Sequence, residues 1–302
     1  MSHPRVAVLL PVYNRAWCVA DTLNSLRSQT FPGFVVIAVD DASTDRSYAL
    51  LKQAAVDDPQ RWCVFRNERN LGMTANWNAC LRLQRELFPN VDYIVKVDSD
   101  DALDPAVLAT GQDVLDADQE AVICHFRTRL VTPQGIRDET DCPLTRKLAQ
   151  LGWPRGASHR MDSPTALRLL IRYDNFIAST GTLIRRTALE ALRHPWWDEA
   201  FCWAADYEMW TRLLTRGAIR YVGQVSVWYR QSHEGITARV PVQVRRQEVC
   251  RIAVRAFWRS YKHMGAWAAA RLLPVVALRA WYAWALMPFM SKRPRRAAGA
   301  PV

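Results

Sequence analysis

Several things are missing from this sequence, and each absence narrows the reading. None of its seven cysteines forms a Cys-x-x-Cys pair, and their number is odd. That speaks against a disulfide framework and for reduced thiols, hence a cytosolic compartment. No run of about 20 apolar residues is free of charge, as a spanning helix requires. The most apolar stretch, 267–290, is broken by Arg271, Pro274, Arg279 and Pro288. No signal-peptide pattern precedes the first apolar run, because Met1-Ser2-His3-Pro4 leads straight into it. There is no internal repeat and no low-complexity segment. A glycine-rich phosphate loop is absent after that first run, which argues against a nucleotidyltransferase. Acidic residues are almost absent from the C-terminus. From Arg239 onward 13 Lys/Arg face one acid, Glu248, a balance of +12, while the rest holds 27 against 28, a balance of −1. A near-neutral body excludes a basic nucleic-acid-binding core, and the basic tail calls for an anionic partner.

What is present begins with a core. The chain has 302 residues and is 50% hydrophobic, enough for one large domain or two modest ones. Three β-branched, apolar runs each end in polar residues. Val6-Ala7-Val8-Leu9-Leu10 leads to Pro11-Val12-Tyr13-Asn14-Arg15. Val35-Val36-Ile37-Ala38-Val39 leads to Asp40-Asp41-Ala42-Ser43-Thr44-Asp45, and Tyr93-Ile94-Val95-Lys96-Val97 leads to Asp98-Ser99-Asp100-Asp101. Runs of this kind read as strands covered on both faces. In a parallel sheet their ends share one edge, where open α/β sheets bind ligands. Carboxylates crowded there need a partner, and hard oxygen ligands suit Mg²⁺ or Mn²⁺.

Helical periodicity separates these runs, at 19–29, 43–56, 74–85 and 105–115, with further strands at 61–66 and 122–126. The β-α alternation predicts a doubly wound sheet. The Pro- and Gly-bearing stretch 127–158 reads as loop or insertion. Beyond it the pattern predicts helices over 163–173, 187–192 and 206–216, and strands over 176–185, 219–222 and 225–230.

Pro11-Val12-Tyr13-Asn14, Asp40 to Asp45, Asn70-Leu71-Gly72, Asp98 to Asp101 with Pro105, and Ala205-Asp206-Tyr207-Glu208-Met209-Trp210 together resemble the family 2 glycosyltransferases, over residues 5–235. The resemblance implies a GT-A fold, a Rossmann-like doubly wound mixed sheet. It also implies a nucleotide-diphosphate sugar donor, commonly with uracil as the base, a divalent metal (Mg²⁺ or Mn²⁺), and inversion at the anomeric carbon. By the same resemblance Pro11, Val12, Tyr13, Asn14, Asp40 and Asp98 line the donor site, and Lys96, two residues before Asp98 and on the same strand face, joins them and pairs with the acidic cluster. Asp100 and His233 hold the metal. Asp206 is the catalytic base that takes the acceptor proton, although Ala205 stands where the family has the first acid of a pair. Asp101 reads as a turn or helix cap. Trp196, Trp197 and Trp203 read either as a sugar-stacking wall or as core. The acceptor implied is a hydroxyl of a glycan or lipid-linked glycan in surface polysaccharide or glycolipid synthesis. Transfer to polyprenyl phosphate and a non-catalytic nucleotide-sugar or glycan-binding role are the alternatives.

The division of the chain expected from these readings is a catalytic domain at 1–238 and a basic, amphipathic helical tail at 239–302. The helix from Trp267 is rich in Trp, Tyr and Arg, and Lys292-Arg293-Pro294-Arg295-Arg296 follows it. That pairing suits a helix lying in the interface of an anionic membrane. The expected location is therefore peripheral, on the cytoplasmic face of the plasma membrane.

Overall fold

A computed structural model describes residues 3–131, 137–153, 156–194, 196–231 and 235–285, with 137–141 and residue 263 as backbone alone. The first half alternates strand and helix as the periodicity predicts. β1 (Val6–Val12), α1 (Val19–Arg27), β2 (Phe34–Asp40), α2 (Ser47–Asp57), β3 (Trp62–Arg66), α3 (Met73–Leu87) and β4 (Tyr93–Lys96) follow one another. Two-residue β5 (Ala102–Leu103), α4 (Val107–Ala117) and β6 (Ala121–Val131) come next. β7 (Arg137–Asp141), α5 (Pro143–Gln150), β8 (His159–Met161), α6 (Ser163–Tyr173), β9 (Leu183–Arg185), α7 (Arg186–Glu190), α8 (Ala205–Leu213) and β10 (Ala218–Arg230) complete the sheet region.

The strands form one mixed sheet in the order β3-β2-β1-β4-β9-β6-β10-β5, with β7 on β6 and β8 on β10. β1 pairs in parallel with β2 and β4, and β9 lies antiparallel to β4 and β6. Every residue of β1 and β2 is buried, as continuous apolar runs demand of a strand covered on both faces. The two-residue alternation sorts them. Val6, Val8, Leu10 and Val12 pack with α1 residues Val19, Leu23 and Leu26. Ala7 and Leu9 join α3, α6 and α8 on the other side.

The second half departs from expectation in places. Residues 127–158 are not a plain loop, because β6 runs on to Val131 and β7 and α5 follow. The predicted strand over 176–185 shrinks to Leu183–Arg185. Gly181 turns the backbone at φ +71° just before it. The two strands expected at 219–222 and 225–230 are one, β10, with a register shift between Val222 and Ser226. A bulge there absorbs the residues that looked like a turn.

The C-terminal segment is helical: α9 (Ile236–Arg239), α10 (Val242–Met264) and α11 (Ala266–Ala285). Gly265 at φ +78° reverses the chain between the last two. Ile252, Ala256 and Phe257 of α10, with Ala269, Leu272 and Val276 of α11, share one core with α6 and α8. The segment set apart as a tail is thus continuous with the sheet domain as far as Val276. Among the described residues no helix is long and apolar enough to cross a membrane. Lys292 to Arg296 lie outside the described residues.

Candidate active site

The C-terminal ends of β1, β2 and β4 open on one cleft of about 1160 Å³. Its floor carries Pro11, Val12, Tyr13, Asp41, Asp98 and Asp100, and Asp206 faces it from the start of α8. The convergence expected from three strand ends is therefore present.

The acidic loop after β4 is held by cations already in place. Lys96 is buried, sits 4.0 Å above the Trp77 ring, and forms an ion pair with Asp98. Arg15 Nε lies 3.3 Å from Asp100 Oδ2. The backbone N–H of Asp98 donates to Thr180 Oγ1 at 3.1 Å, and Gly181 N–H donates to the Lys96 carbonyl. Burial raises the Asp100 carboxyl above its ordinary range, Arg15 pulls it down, and Asp98 pushes it up again. Asp101 does not cap a helix. It is buried, and its Oδ1 accepts the Arg230 N–H at 2.9 Å. Arg230, missed in the sequence reading, also donates to the Asp100 carbonyl at 2.8 Å and pairs with Asp21 at 2.5 Å. Its signal was modest: an Arg directly after the aromatic pair Trp228-Tyr229.

The β2 end sorts its two carboxylates by pleat. Asp40 is fully buried, accepts the Ser43 N–H at 3.0 Å, lies 3.1 Å from Arg66, and is not part of the cleft wall. Its Oδ1 has no hydrogen-bond partner. Asp41 lines the cleft instead. It accepts from Asn67 Nδ2 (2.7 Å) and from the N–H groups of Leu71 (2.8 Å) and Gly72 (2.9 Å). Asp41 thus fixes the Asn70-Leu71-Gly72 turn at the cleft wall. Strand alternation sets Asp40 and Asp41 on opposite faces but does not say which face is the cleft. Asn14 sits at φ +50°, and its Oδ1 accepts the Thr44 N–H at 2.8 Å, tying the β1 end to the β2 end.

Asp206 occupies the first turn of α8 and is half-buried at the cleft. Tyr207 N–H donates to its Oδ1 at 2.7 Å and Asn175 Nδ2 to its Oδ2 at 3.3 Å. Burial pushes the carboxyl up to about 6; the Tyr207 N–H and Lys96 draw it down, and Asp98 raises it. Of the three tryptophans, Trp203 lines the cleft and donates Nε1–H to Thr237 Oγ1 at 3.2 Å. Trp197 is buried edge-on against Trp77, and Arg85 lies over Trp196. His233 lies outside the described residues.

Residues 7–193 match the family model described as Glycosyl transferase family 2. The chain belongs to that family. Among relatives, EpsE of Bacillus subtilis is 33% identical over 100 residues, 33% of this chain and 34% of EpsE. Chondroitin synthase of Escherichia coli is 22% identical over 224 residues, 74% of this chain and 28% of that enzyme. The chain therefore spans about a third or less of each. Staphylococcus aureus TarS in complex with UDP-GlcNAc superposes with a TM-score of 0.68 at 17% identity, over 96% of this chain and 76% of that one. The mannosyltransferase PcManGT from Pyrobaculum calidifontis, in complex with GDP-Man and Mn²⁺, gives 0.61 at 17% identity, over 97% and 89%. These likenesses establish the GT-A fold of the family 2 domain, and the C-terminal helices fall within the superposed length.

Among the described residues no three His, Cys, Asp or Glu side chains converge on a metal-sized site. Asp98, Asp100 and Asp101 of the acidic loop line the cleft, and one Asp101 oxygen is taken by the Arg230 N–H. Two carboxylates suit an ion such as Mg²⁺ or Mn²⁺, which commonly takes one or two protein oxygens and completes its shell with phosphate and water.

Proposed function

We propose that the chain is a glycosyltransferase that moves a sugar from a nucleotide-diphosphate sugar, a UDP-sugar first, to a hydroxyl of a glycan or lipid-linked glycan. The observation that carries this reading is one cleft holding a paired carboxylate loop, a strand-end carboxylate and a separate raised carboxylate at α8. The division of labour follows from chemistry. Pro11, Val12 and Tyr13, with Asp41 beside them, form the nucleotide end. Asn14 and Asp40 shape that end from behind. Lys96 holds Asp98 in place, and Asp98 and Asp100 would hold the cation. When bound, that ion would neutralise the charge of the diphosphate leaving group.

Asp206 stands apart from that pair and is the group to accept the acceptor's proton. A hydroxyl loses its proton as the new bond forms, so a carboxylate within reach aids the step. A group sitting near 6 is ionised at neutral pH yet more basic than an ordinary aspartate. Attack from the Asp206 side, opposite the diphosphate, inverts the anomeric carbon. This favours a hydroxyl acceptor over a polyprenyl phosphate, which needs no base.

The basic C-terminal region would bring the domain to the cytoplasmic face of an anionic membrane carrying that acceptor. Trp267 (85% exposed), Trp281 (60%) and Trp284 (65%) on α11 support this, because large apolar side chains seldom face water in a row.

A screen of purified full-length chain against common nucleotide sugars, with Mn²⁺ or Mg²⁺, tests the reading. Nucleotide release should occur with at least one donor, stop in EDTA, and be lost in Asp100→Ala with unchanged circular dichroism. Full turnover in EDTA would remove the metal from the mechanism.

A further inference from the structure

Two polar contacts, one fully buried and one half-buried, run from the C-terminal hairpin to the segments that place Asp206. From α10, Glu248 is fully buried. Its carboxylate accepts the backbone N–H groups of Cys202 (2.9 Å), Trp203 (3.0 Å) and Ala204 (3.0 Å). These residues are the entry to α8, whose first turn carries Asp206. Amides at a helix start have no intrahelical acceptor, and an anion there is favoured by the helix dipole. From α11, Arg279 pairs with Asp174 at 2.5 Å and donates to the Arg172 carbonyl at 3.2 Å. Asp174 sits at φ +66°, a conformation a non-glycine residue rarely adopts unaided. The next residue, Asn175, donates to Asp206 Oδ2.

The hairpin therefore grips both approaches to one carboxylate: the loop before it, through Glu248, and Asp174, the residue before its amide partner Asn175, through Arg279. Arg259 of α10 adds a third contact, reaching Glu208 Oε1 at 3.0 Å and Thr211 Oγ1 at 3.3 Å on α8. Apolar packing of α10 on α6 and α8 would suffice to dock a passive helix. Burying an ionised carboxylate is costly unless its lone pairs are used, and here backbone amides use them. Replacing Glu248 would strand those amides and loosen the turn that aims Asp206.

We propose that Glu248 and Arg279 are positioning residues for Asp206, so that the C-terminal hairpin is a working part of the transfer site. The inference rests on Asp206 acting as the base, and it links α11, which carries the exposed tryptophans, to that base through an ion pair and a hydrogen bond.

The test uses the full-length chain with Glu248→Gln, Glu248→Asp, Arg279→Gln, Arg279→Lys and Asp206→Asn. Turnover is read as nucleotide release from UDP-GlcNAc or GDP-mannose, whichever the chain uses. Glu248→Gln and Arg279→Gln should each lower kcat roughly 10- to 100-fold, the scale of a misplaced catalytic group, with donor KM unchanged. Glu248→Asp and Arg279→Lys should recover part of the loss. Adding Glu248→Gln to Asp206→Asn should cost nothing further, because the clamp acts through the base. Without substrate, amide hydrogen exchange should quicken most at 202–206 in Glu248→Gln and at 175–177 in Arg279→Gln, ahead of the rest of the fold, which separates a local loosening from a global loss of stability. Normal kcat in both Gln variants beside an inactive Asp206→Asn would overturn the clamp and leave the base reading standing. An active Asp206→Asn would overturn the base reading and the clamp with it. If a Gln variant does not fold, the Asp and Lys variants carry the same comparison.

Discussion

Asp206 is where residue-scale chemistry is most exposed to test. Its carboxyl is raised to about 6 chiefly by burial, with Lys96, Asp98, Asn175 and the Tyr207 N–H facing it. The base is present above that value and lost as pH falls through it. A pH profile of kcat should therefore show an acid limb with its midpoint near 6. Asp206→Asn should cut turnover roughly 10²- to 10⁴-fold, with donor affinity by calorimetry unchanged. Lost donor binding with normal turnover at saturation would place Asp206 on the donor side instead. The same shift has a stability consequence. A carboxyl whose folded value lies above its unfolded value binds its proton more tightly in the fold, so ionisation opposes folding at neutral pH. Asp206→Asn should raise the unfolding midpoint more at pH 8 than at pH 4. Calorimetric scans at the two values decide it.

At the scale of elements, the turn that leads into β9 governs the acidic loop at the end of its sheet neighbour β4. Gly181 lies at φ +71°, and a Cβ there would stand 2.6 Å from Val227 Cγ2. Its N–H bonds the Lys96 carbonyl, and its neighbour Thr180 receives the Asp98 N–H. Gly181→Ala should destabilise the fold by roughly 1–3 kcal/mol, from overpacking and a left-handed backbone. Urea denaturation reads the loss, and an unchanged midpoint would mean that β10 yields freely at Val227. The expected strand over 176–185 failed for the same cause. Apolar, β-branched residues there carry strand propensity, but Gly181 and the demand of the Asp98 loop for Thr180 bend the chain before Leu183. Propensity could not register a turn required by a partner from another strand.

For the molecule as a whole, the hairpin does two things on two faces. Its inner face completes the core with Ile252, Phe257, Leu272 and Val276, so removing everything after Val240 would expose the apolar sides of α6 and α8. Surface substitution is the sharper probe of membrane binding. Replacing Trp267, Trp281 and Trp284 together with Ser should reduce flotation with anionic vesicles and leave the unfolding midpoint in place. Exchanging Lys292, Arg293, Arg295 and Arg296 for Gln should weaken flotation most at low salt, where charge attraction is least screened. Equal flotation of all three proteins would make the hairpin a structural cap.

The strands, their order along the chain and the polar residues at their ends were readable in the sequence, because burial on both faces leaves continuous apolar runs and a ligand edge leaves polar ones. Asp98 and Asp100 stood out for that reason, whereas Asp206, in the first turn of α8, was marked only by the resemblance of Ala205 to Trp210 to the family motif. Which of two adjacent carboxylates faces the cleft depended on the pleat and on the Asn67 and Gly72 contacts, and there Asp41 rather than Asp40 forms the wall. Charge composition showed a basic C-terminus, but it says nothing of burial. Only the packing of α10 and α11 decided that Glu248, the single acid among 13 Lys/Arg, turns inward to the amides before Asp206. A contact spanning 44 to 46 residues, made to backbone groups, leaves no pattern in the side-chain sequence.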